Sequence, residues 1–174
     1  MMRLRVAVAV ILSATVMATA AACSKKSLAI PDEFCRVSVN NLAPLVPDGD
    51  SAKQDFTALE ARPGAACNLW VDNHNVLSVN VMLLDGASDV SNWNDVGTQY
   101  KHMAQRKVTF AGHAAIGSDH AIVEATCTAR AGYLSVSLDF SGDRVENTPT
   151  GYKKLQRFLD DFVPKETKKF GCTG

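Results

Sequence analysis

Signatures of nucleotide-binding, hydrolytic and zinc-binding proteins are missing from this chain of 174 residues. No glycine-rich stretch has the spacing of a phosphate-binding loop, so a nucleotide ligand is not expected. No Gly-x-Ser-x-Gly segment occurs, which removes the usual setting of a hydrolase serine. The cysteines form no Cys-x-x-Cys pair, so a zinc site is not expected either. The chain is therefore not expected to be an enzyme, and no cofactor or metal is predicted.

The chain also has no excess of charge of one sign. Eighteen Lys and Arg residues balance eighteen Asp and Glu residues. This balance provides no electrostatic attraction for nucleic acid. After the N-terminal region, no apolar run approaches the roughly 20 residues that a membrane-spanning helix needs.

The N-terminal segment has the layout of a signal peptide. Arg3 and Arg5 make its start positive, and residues 6–17 are apolar apart from Ser13 and Thr15. Small residues follow at positions 18–22, as they do before a cleavage site. Residues 1–22 are therefore predicted to be a signal peptide, which takes no part in the predicted fold.

Cys23 allows two interpretations of how this segment is cleaved. An ordinary signal peptidase would cut after Ala22 and leave a soluble secreted protein. The segment also resembles a bacterial lipobox, with Ala20 where Leu is commoner, and Cys23 would then carry a diacylglyceryl group. The odd count of five cysteines favours the lipobox, because lipid on Cys23 leaves four cysteines for two disulfides.

The lipobox interpretation predicts a palmitate-bearing lipoprotein on the extracytoplasmic face of the cell membrane. Residues 23–30 would form the lipid-anchored tether, and residues 31–174 a single disulfide-bonded domain that is long enough to bury a core. Two or more acyl chains make such anchoring stable. The predicted partner is therefore the membrane, contacted through Cys23.

The first half of the predicted domain contains helix and hairpin signals. Pro31, followed by two acidic residues, is typical of a helix start, and Pro44 is expected to end that helix. Residues 56–62 are predicted to form a strand. Residues 67–71 and 77–83 alternate between apolar and polar side chains on either side of a turn at 72–75, which predicts a β-hairpin.

The second half is predicted to add two helices and two strands. A helix capped by Asp89 or Ser91 is predicted from apolar residues at helical spacing, namely Trp93, Val96, Tyr100 and Met103. Residues 122–129 and 134–140 have the pattern of strands. The last helix is expected to begin at Thr148-Pro149 and to end at Pro164. This order of helices and strands along the chain predicts an α+β fold, with an antiparallel sheet of about four to six strands and helices packed mainly on one face.

The four remaining cysteines permit three disulfide pairings. We favour Cys35 with Cys67 and Cys127 with Cys172. The first bond would tie the N-terminal helix to the hairpin, and the second would tie a central strand to a C-terminal tail that otherwise has little to hold it.

These residues resemble a known pattern. The pattern consists of a lipobox-like Cys23, a predicted helix carrying Cys35, the strand "ACNLWV" with Cys67, the turn "AIGSDHA" and Cys127 before "LSVSL". The chain is similar over nearly the whole mature length to the actinobacterial lipoproteins of domain-of-unknown-function family 3558. The resemblance implies a surface lipoprotein with no established activity.

Three clusters of polar residues have the composition of known sites without their spacing. Ser118-Asp119-His120 has the residue types of a catalytic triad, but adjacent residues seldom assemble one. His113 and His120 are expected to be solvated rather than metal-bound. The acidic loop of Asp48, Asp50 and Asp55 lacks the glycine and terminal glutamate of an EF-hand register.

The best candidates for a ligand-facing surface are the aromatic residues Trp70, Trp93 and Tyr133. Trp70 alternates with the buried residues of its strand, so it would lie on the opposite sheet face, where such aromatic residues could line a groove for an envelope lipid, glycan or protein. The interpretation that we favour for Trp70 is that a helix covers that face and Trp70 belongs to the core.

The predicted function is therefore a non-enzymatic binding or accessory module of the cell envelope, outside the cytoplasmic membrane. Two alternatives stay open: an envelope hydrolase with an unrecognised site, and a soluble secreted binding protein.

Overall fold

The computed structural model describes residues 28–173, except positions 87, 89, 91, 97 and 99. Within these ranges the chain forms nine β-strands, one α-helix and a short 3-10 helix. The predicted signal peptide and Cys23 lie outside the described residues, and so do Asp89 and Ser91.

The N-terminal segment is a small hairpin and not the predicted helix. Strands β1 (Glu33–Phe34) and β2 (Val37–Ser38) pair antiparallel around Cys35 and Arg36. Both turn residues have positive φ angles, 58° and 62°, as the central residues of a two-residue hairpin turn do. A 3-10 helix at Ala43–Leu45 follows, with Pro44 inside it. The helix prediction was wrong because Cys35 and Arg36 adopt the left-handed backbone of a turn, across which Phe34 pairs with Val37.

One seven-stranded antiparallel sheet dominates the domain. Its spatial order is β3-β4-β5-β9-β8-β7-β6. The strands are β3 (Ala52–Ala58), β4 (Gly64–Val71), β5 (His74–Leu84), β6 (Ala104–Arg106), β7 (Gly112–Ile116), β8 (His120–Thr126) and β9 (Tyr133–Phe140). Each half of the sheet is a meander, and the two halves join where β5 pairs with β9. The α+β prediction is confirmed in outline, but four to six strands was too few, because the short β6 and β7 carry no long alternating pattern.

The central strands bury one face of the sheet. Cys67 pairs with Val79, Val79 with Leu138, and Leu138 with Ala121, and all four residues are buried. Within each strand, the residues that alternate with the buried ones are mostly polar and point to the opposite face. This is the hairpin and strand pattern expected from the sequence.

Helix α1 (Tyr152–Lys169) covers the buried face together with the β1–β2 hairpin. Phe34 of the hairpin contacts both Phe158 and Phe162 of α1, with ring centroids 5.9 Å and 6.1 Å away.

The bounds of α1 differ from the predicted ones at both ends. The helix begins at Tyr152, after an N-cap at Gly151, and not at Thr148-Pro149. It also continues through Pro164, which was expected to end it. The last helix predicted from the sequence is therefore present, but it lies further along the chain.

The connection between β5 and β6 contains no helix among its described residues, so the second predicted helix was wrong there. Trp93 lies in a turn and stacks on His113, with ring centroids 5.5 Å apart. Tyr100 stacks on His120, with centroids 3.8 Å apart. The apolar residues at helical spacing therefore cover part of the second sheet face from an irregular segment.

Both disulfides have the pairing that the sequence analysis favoured. Cys35 is bonded to Cys67, which ties the β1–β2 hairpin to β4. Cys127 is bonded to Cys172, and the backbone N–H groups of Thr128 and Ala129 donate to the Cys172 carbonyl. The tail after α1 is thereby held at the end of β8.

Candidate functional site

A cleft of about 920 Å³ lies where the chain enters the domain. It is bounded by the N-terminal segment, the 3-10 helix, the loop before β3, the β9–α1 connection and the first turn of α1. Its lining residues are Leu28, Ile30, Ala43, Pro44, Val46, Pro47, Asp48, Gly49, Asp50, Arg144 and Lys154. Its volume is typical of a site for a small ligand.

The loop wall of the cleft is held by the turn between β4 and β5. The Asp72 carboxylate accepts hydrogen bonds from the backbone N–H groups of Asp50 and Ser51 and from the Ser51 hydroxyl. The two backbone hydrogen bonds are the main reason that the pKa of Asp72 lies below its ordinary value. The wall is therefore fixed by a carboxylate that stays ionised at neutral pH.

Gly49 allows this loop to approach the turn closely. A Cβ atom at position 49 would lie 2.5 Å from Val71 Cγ1 and 2.7 Å from Asp72 Oδ2. A larger residue at position 49 would therefore force the loop or the Val71 and Asp72 side chains to shift.

Charged side chains of both signs stand at the rim. Arg144 Nη2 lies 2.7 Å from Asp48 Oδ1, and Lys154 Nζ lies 3.1 Å from Glu146 Oε1. Lys154 also donates to the Arg144 carbonyl. Because such exposed pairs contribute little to stability, a ligand can rearrange them with a small loss of free energy.

A second polar region lies on the face of the sheet away from α1. His120 Nδ1 is 2.6 Å from Asp139 Oδ1, its cross-strand neighbour. Next along the same row, Ser78 donates to Asn68 Oδ1 at 2.7 Å. His120 is buried under Tyr100, whereas Asp139 is exposed. An imidazole oriented by a carboxylate is one part of an acid–base constellation.

The nucleophile that would complete this constellation is not assembled among the described residues. Ser118 is buried, and its hydroxyl lies 3.5 Å from Asn147 Oδ1. The partner of His120 is Asp139, not the adjacent Asp119, so the Ser118-Asp119-His120 segment is not a triad in this structure. Neither His120 nor Asp139 lines the cleft. Over the described ranges, no group of three His, Cys, Asp or Glu side chains is placed to hold a metal ion.

The three aromatic residues expected to face a ligand do not form one site. Trp70 is half-buried on the second face, with Lys53 Nζ 5.4 Å from its ring centroid. Trp93 is buried against His113, and Tyr133 begins β9.

The sheet register separates two of these aromatic residues. Trp70 pairs with Asn75, close to the Phe140 end of β9, whereas Tyr133 stands at the other end of that strand. Trp70 and Tyr133 are therefore about 20 Å or more apart along the strands.

Sequence reasoning missed the cleft. It places Leu28 and Ile30 in a tether, and Pro44 at the end of a helix. The available signal was a group of apolar residues and prolines without strand or helix periodicity, of which Ile30 stays 36% exposed. Exposed apolar side chains that group together mark ligand grooves and interaction surfaces.

No helix among the described residues is long and apolar enough to cross a membrane. No family model, no curated protein and no solved structure matches this chain.

Proposed function

We propose that this chain is a lipoprotein anchored through Cys23 at the extracytoplasmic face of the cell membrane. In this proposal it is a non-enzymatic binding or accessory module, and the cleft at the entry of the chain is its ligand site. The assignment to family 3558 stays a prediction that rests on the short motifs alone.

The cleft is the observation that carries this proposal. It combines apolar side chains with a few charged groups, as small-molecule sites do. It also lies beside Leu28, only five positions after the proposed anchor. The oriented imidazole of His120 lies outside the cleft, so the cleft and the acid–base pair are separate.

An envelope hydrolase is the second candidate, and the His120–Asp139 pair favours it. The buried imidazole with its carboxylate partner is the arrangement that activates a nucleophile or a water molecule. This candidate requires a substrate that approaches the second sheet face beside Tyr100.

A paired assay separates the two candidates. The full chain, Ile30→Asp and Ala58→Asp would be incubated with bacterial envelope extract, and both retained molecules and cleaved products would be identified by mass spectrometry. Ala58 is exposed on β3, so its variant adds the same charge outside the cleft.

We expect small molecules retained by the full chain and Ala58→Asp but not by Ile30→Asp, with no turnover. Equal retention by all three proteins would remove the cleft from the proposal. Reproducible turnover that is lost in His120→Ala would establish the hydrolase instead.

A further inference from the structure

We propose that the cleft holds a hydrocarbon chain of a membrane phospholipid. This inference rests on the proposed function, because it takes the anchor at Cys23 as given. It adds the identity of the ligand class and the direction from which the ligand enters.

The length of the tether places the cleft close to the bilayer. Five residue steps separate Cys23 from Leu28, and an extended chain spans at most about 3.6 Å per residue. Leu28 therefore lies within roughly 18 Å of the lipid-bearing residue. Because Leu28 itself lines the cleft, membrane lipid is the most concentrated ligand within reach.

The lining of the cleft suits a hydrocarbon chain. Six of its residues are apolar or proline: Leu28, Ile30, Ala43, Pro44, Val46 and Pro47. Ile30, Ala43 and Pro44 are exposed to solvent. Covering these side chains with a lipid chain removes apolar area from water on both partners, which favours binding.

A second, smaller cavity adjoins the cleft, and its lining is mixed, with the polar residues Asp32 and Asn40 beside apolar ones. It has a volume of about 280 Å³ and shares Ile30 and Ala43 with the main cleft. Val39 and Leu42 also line it. The two cavities therefore meet at Ile30 and Ala43.

The balanced charges at the rim give no net preference for a headgroup of either sign. Asp48 and Asp50 balance Arg144 and Lys154 among the lining residues. Both cations already have acidic partners, Asp48 and Glu146. The rim therefore neither selects nor excludes an anionic headgroup, which stays at the mouth of the cleft.

Photo-crosslinking in vesicles tests this inference. The protein, purified in the form that the cell produces, would be reconstituted into vesicles of phosphatidylglycerol and phosphatidylethanolamine that contain a trace of phospholipid with a diazirine in mid-chain. After irradiation, adducts would be located by peptide mass spectrometry, and vesicle flotation would report anchoring separately. We expect adducts at Leu28, Ile30 or residues 43–47.

The matched variants give the expected change. A carboxylate in the apolar lining disfavours a hydrocarbon chain, so Ile30→Asp should reduce the cleft adducts about tenfold. Ala58→Asp should leave them unchanged.

Three results would overturn the inference. Floating protein without cleft adducts would remove the lipid chain as the ligand while leaving the anchor and the binding function intact. In a parallel sample with a headgroup-labelled phospholipid, cleft adducts from that label and none from the mid-chain label would show that the cleft meets the membrane surface instead. Protein that fails to float with the vesicles would contradict the anchor at Cys23. It would also remove the reason for placing the cleft close to the bilayer.

Discussion

Glu166 is a fully buried carboxylate in the last turns of α1. Its neighbour is Lys169, whose Nζ lies 3.3 Å from Glu166 Oε1 and donates to the Cys35 carbonyl at 2.6 Å. Burial raises the pKa of Glu166 above its ordinary value, and the attraction of Lys169 offsets only part of that effect. The folded state therefore binds the Glu166 proton more tightly than the unfolded chain does.

This raised pKa predicts a loss of stability as the pH increases. The favourable contribution of protonated Glu166 is complete below the ordinary value of 4.5 and is lost as the pH rises through the higher folded-state pKa. In Glu166→Gln this drop should disappear, because the amide does not ionise. Urea unfolding from about pH 4 to about pH 8 would measure it. The same drop in both proteins would contradict the assignment to Glu166.

Asp72 makes the opposite case, because hydrogen bonds depress its pKa. Its contribution to the cleft wall is present above the ordinary value of 3.8 and is lost as the pH falls through the lower folded-state pKa. Asp72 and Asn73 both have positive φ, 48° and 64°, so glycine replaces either residue without backbone strain.

Asp72→Gly should therefore loosen the loop without unfolding the domain. Amide exchange at Asp50 and Ser51 should speed up at neutral pH, because both N–H groups lose their acceptor. Asn73→Gly changes the same turn but keeps the carboxylate, and it serves as the control. Equal exchange rates in the two variants would show that Asp72 does not hold the loop.

At the scale of elements, strands with long alternation were predictable and short or irregular segments were not. The hairpin of β4 and β5 and the strand β9 follow from period-two alternation of residues that pack on one face. The β1–β2 hairpin was not predictable because only two residues on each side pair, and Cys35 and Arg36 adopt positive φ without being glycine. Local propensity contains little information about such a turn.

Helix α1 shows how tertiary contacts override a local signal. Proline inside a helix removes a hydrogen bond and commonly ends it. Beyond Pro164, however, Glu166, Thr167 and Cys172 are buried, and the Cys127–Cys172 bond holds the end of the segment. Packing of these residues therefore supports the last turns of the helix.

Removing that bond should free the tail before it affects the sheet. The double variant Cys127→Ala/Cys172→Ala should lose about 2–4 kcal/mol of stability. The amides of Thr128 and Ala129 should exchange faster, because both donate to the Cys172 carbonyl, and the amides after Lys169 should exchange faster because the tail loses its covalent tie to β8.

The other disulfide provides the matched control. Cys35→Ala/Cys67→Ala should be destabilised by a similar amount while the tail keeps its protection. Unchanged exchange of the tail in the first variant would contradict this role. Non-reducing peptide mapping of the parent protein checks the pairing, and recovery of Cys35 linked to Cys172 would overturn it.

For the whole molecule, the α+β class was predictable from the sequence but the site was not. The cleft is assembled from the N-terminal segment, the loop before β3 and the start of α1, which are far apart in the chain. Trp70, Trp93 and Tyr133 were candidates by residue type, yet the sheet register separates Trp70 from Tyr133. Which residues meet at a surface depends on topology, and the spacing of aromatic residues contains no information about it.

We propose that Cys23 anchors a binding domain to the extracytoplasmic face of the membrane. This claim is tested most directly by membrane fractionation of the full chain and Cys23→Ala, with the intact mass of each protein determined. We predict that the protein with the unchanged sequence is recovered with membranes. Its mass should show that it begins at residue 23 and carries lipid, because stable anchoring requires two or more acyl chains. Cys23→Ala should be released into the medium or stay unprocessed. A Cys23→Ala protein that stays with membranes at the mature mass would contradict the claim.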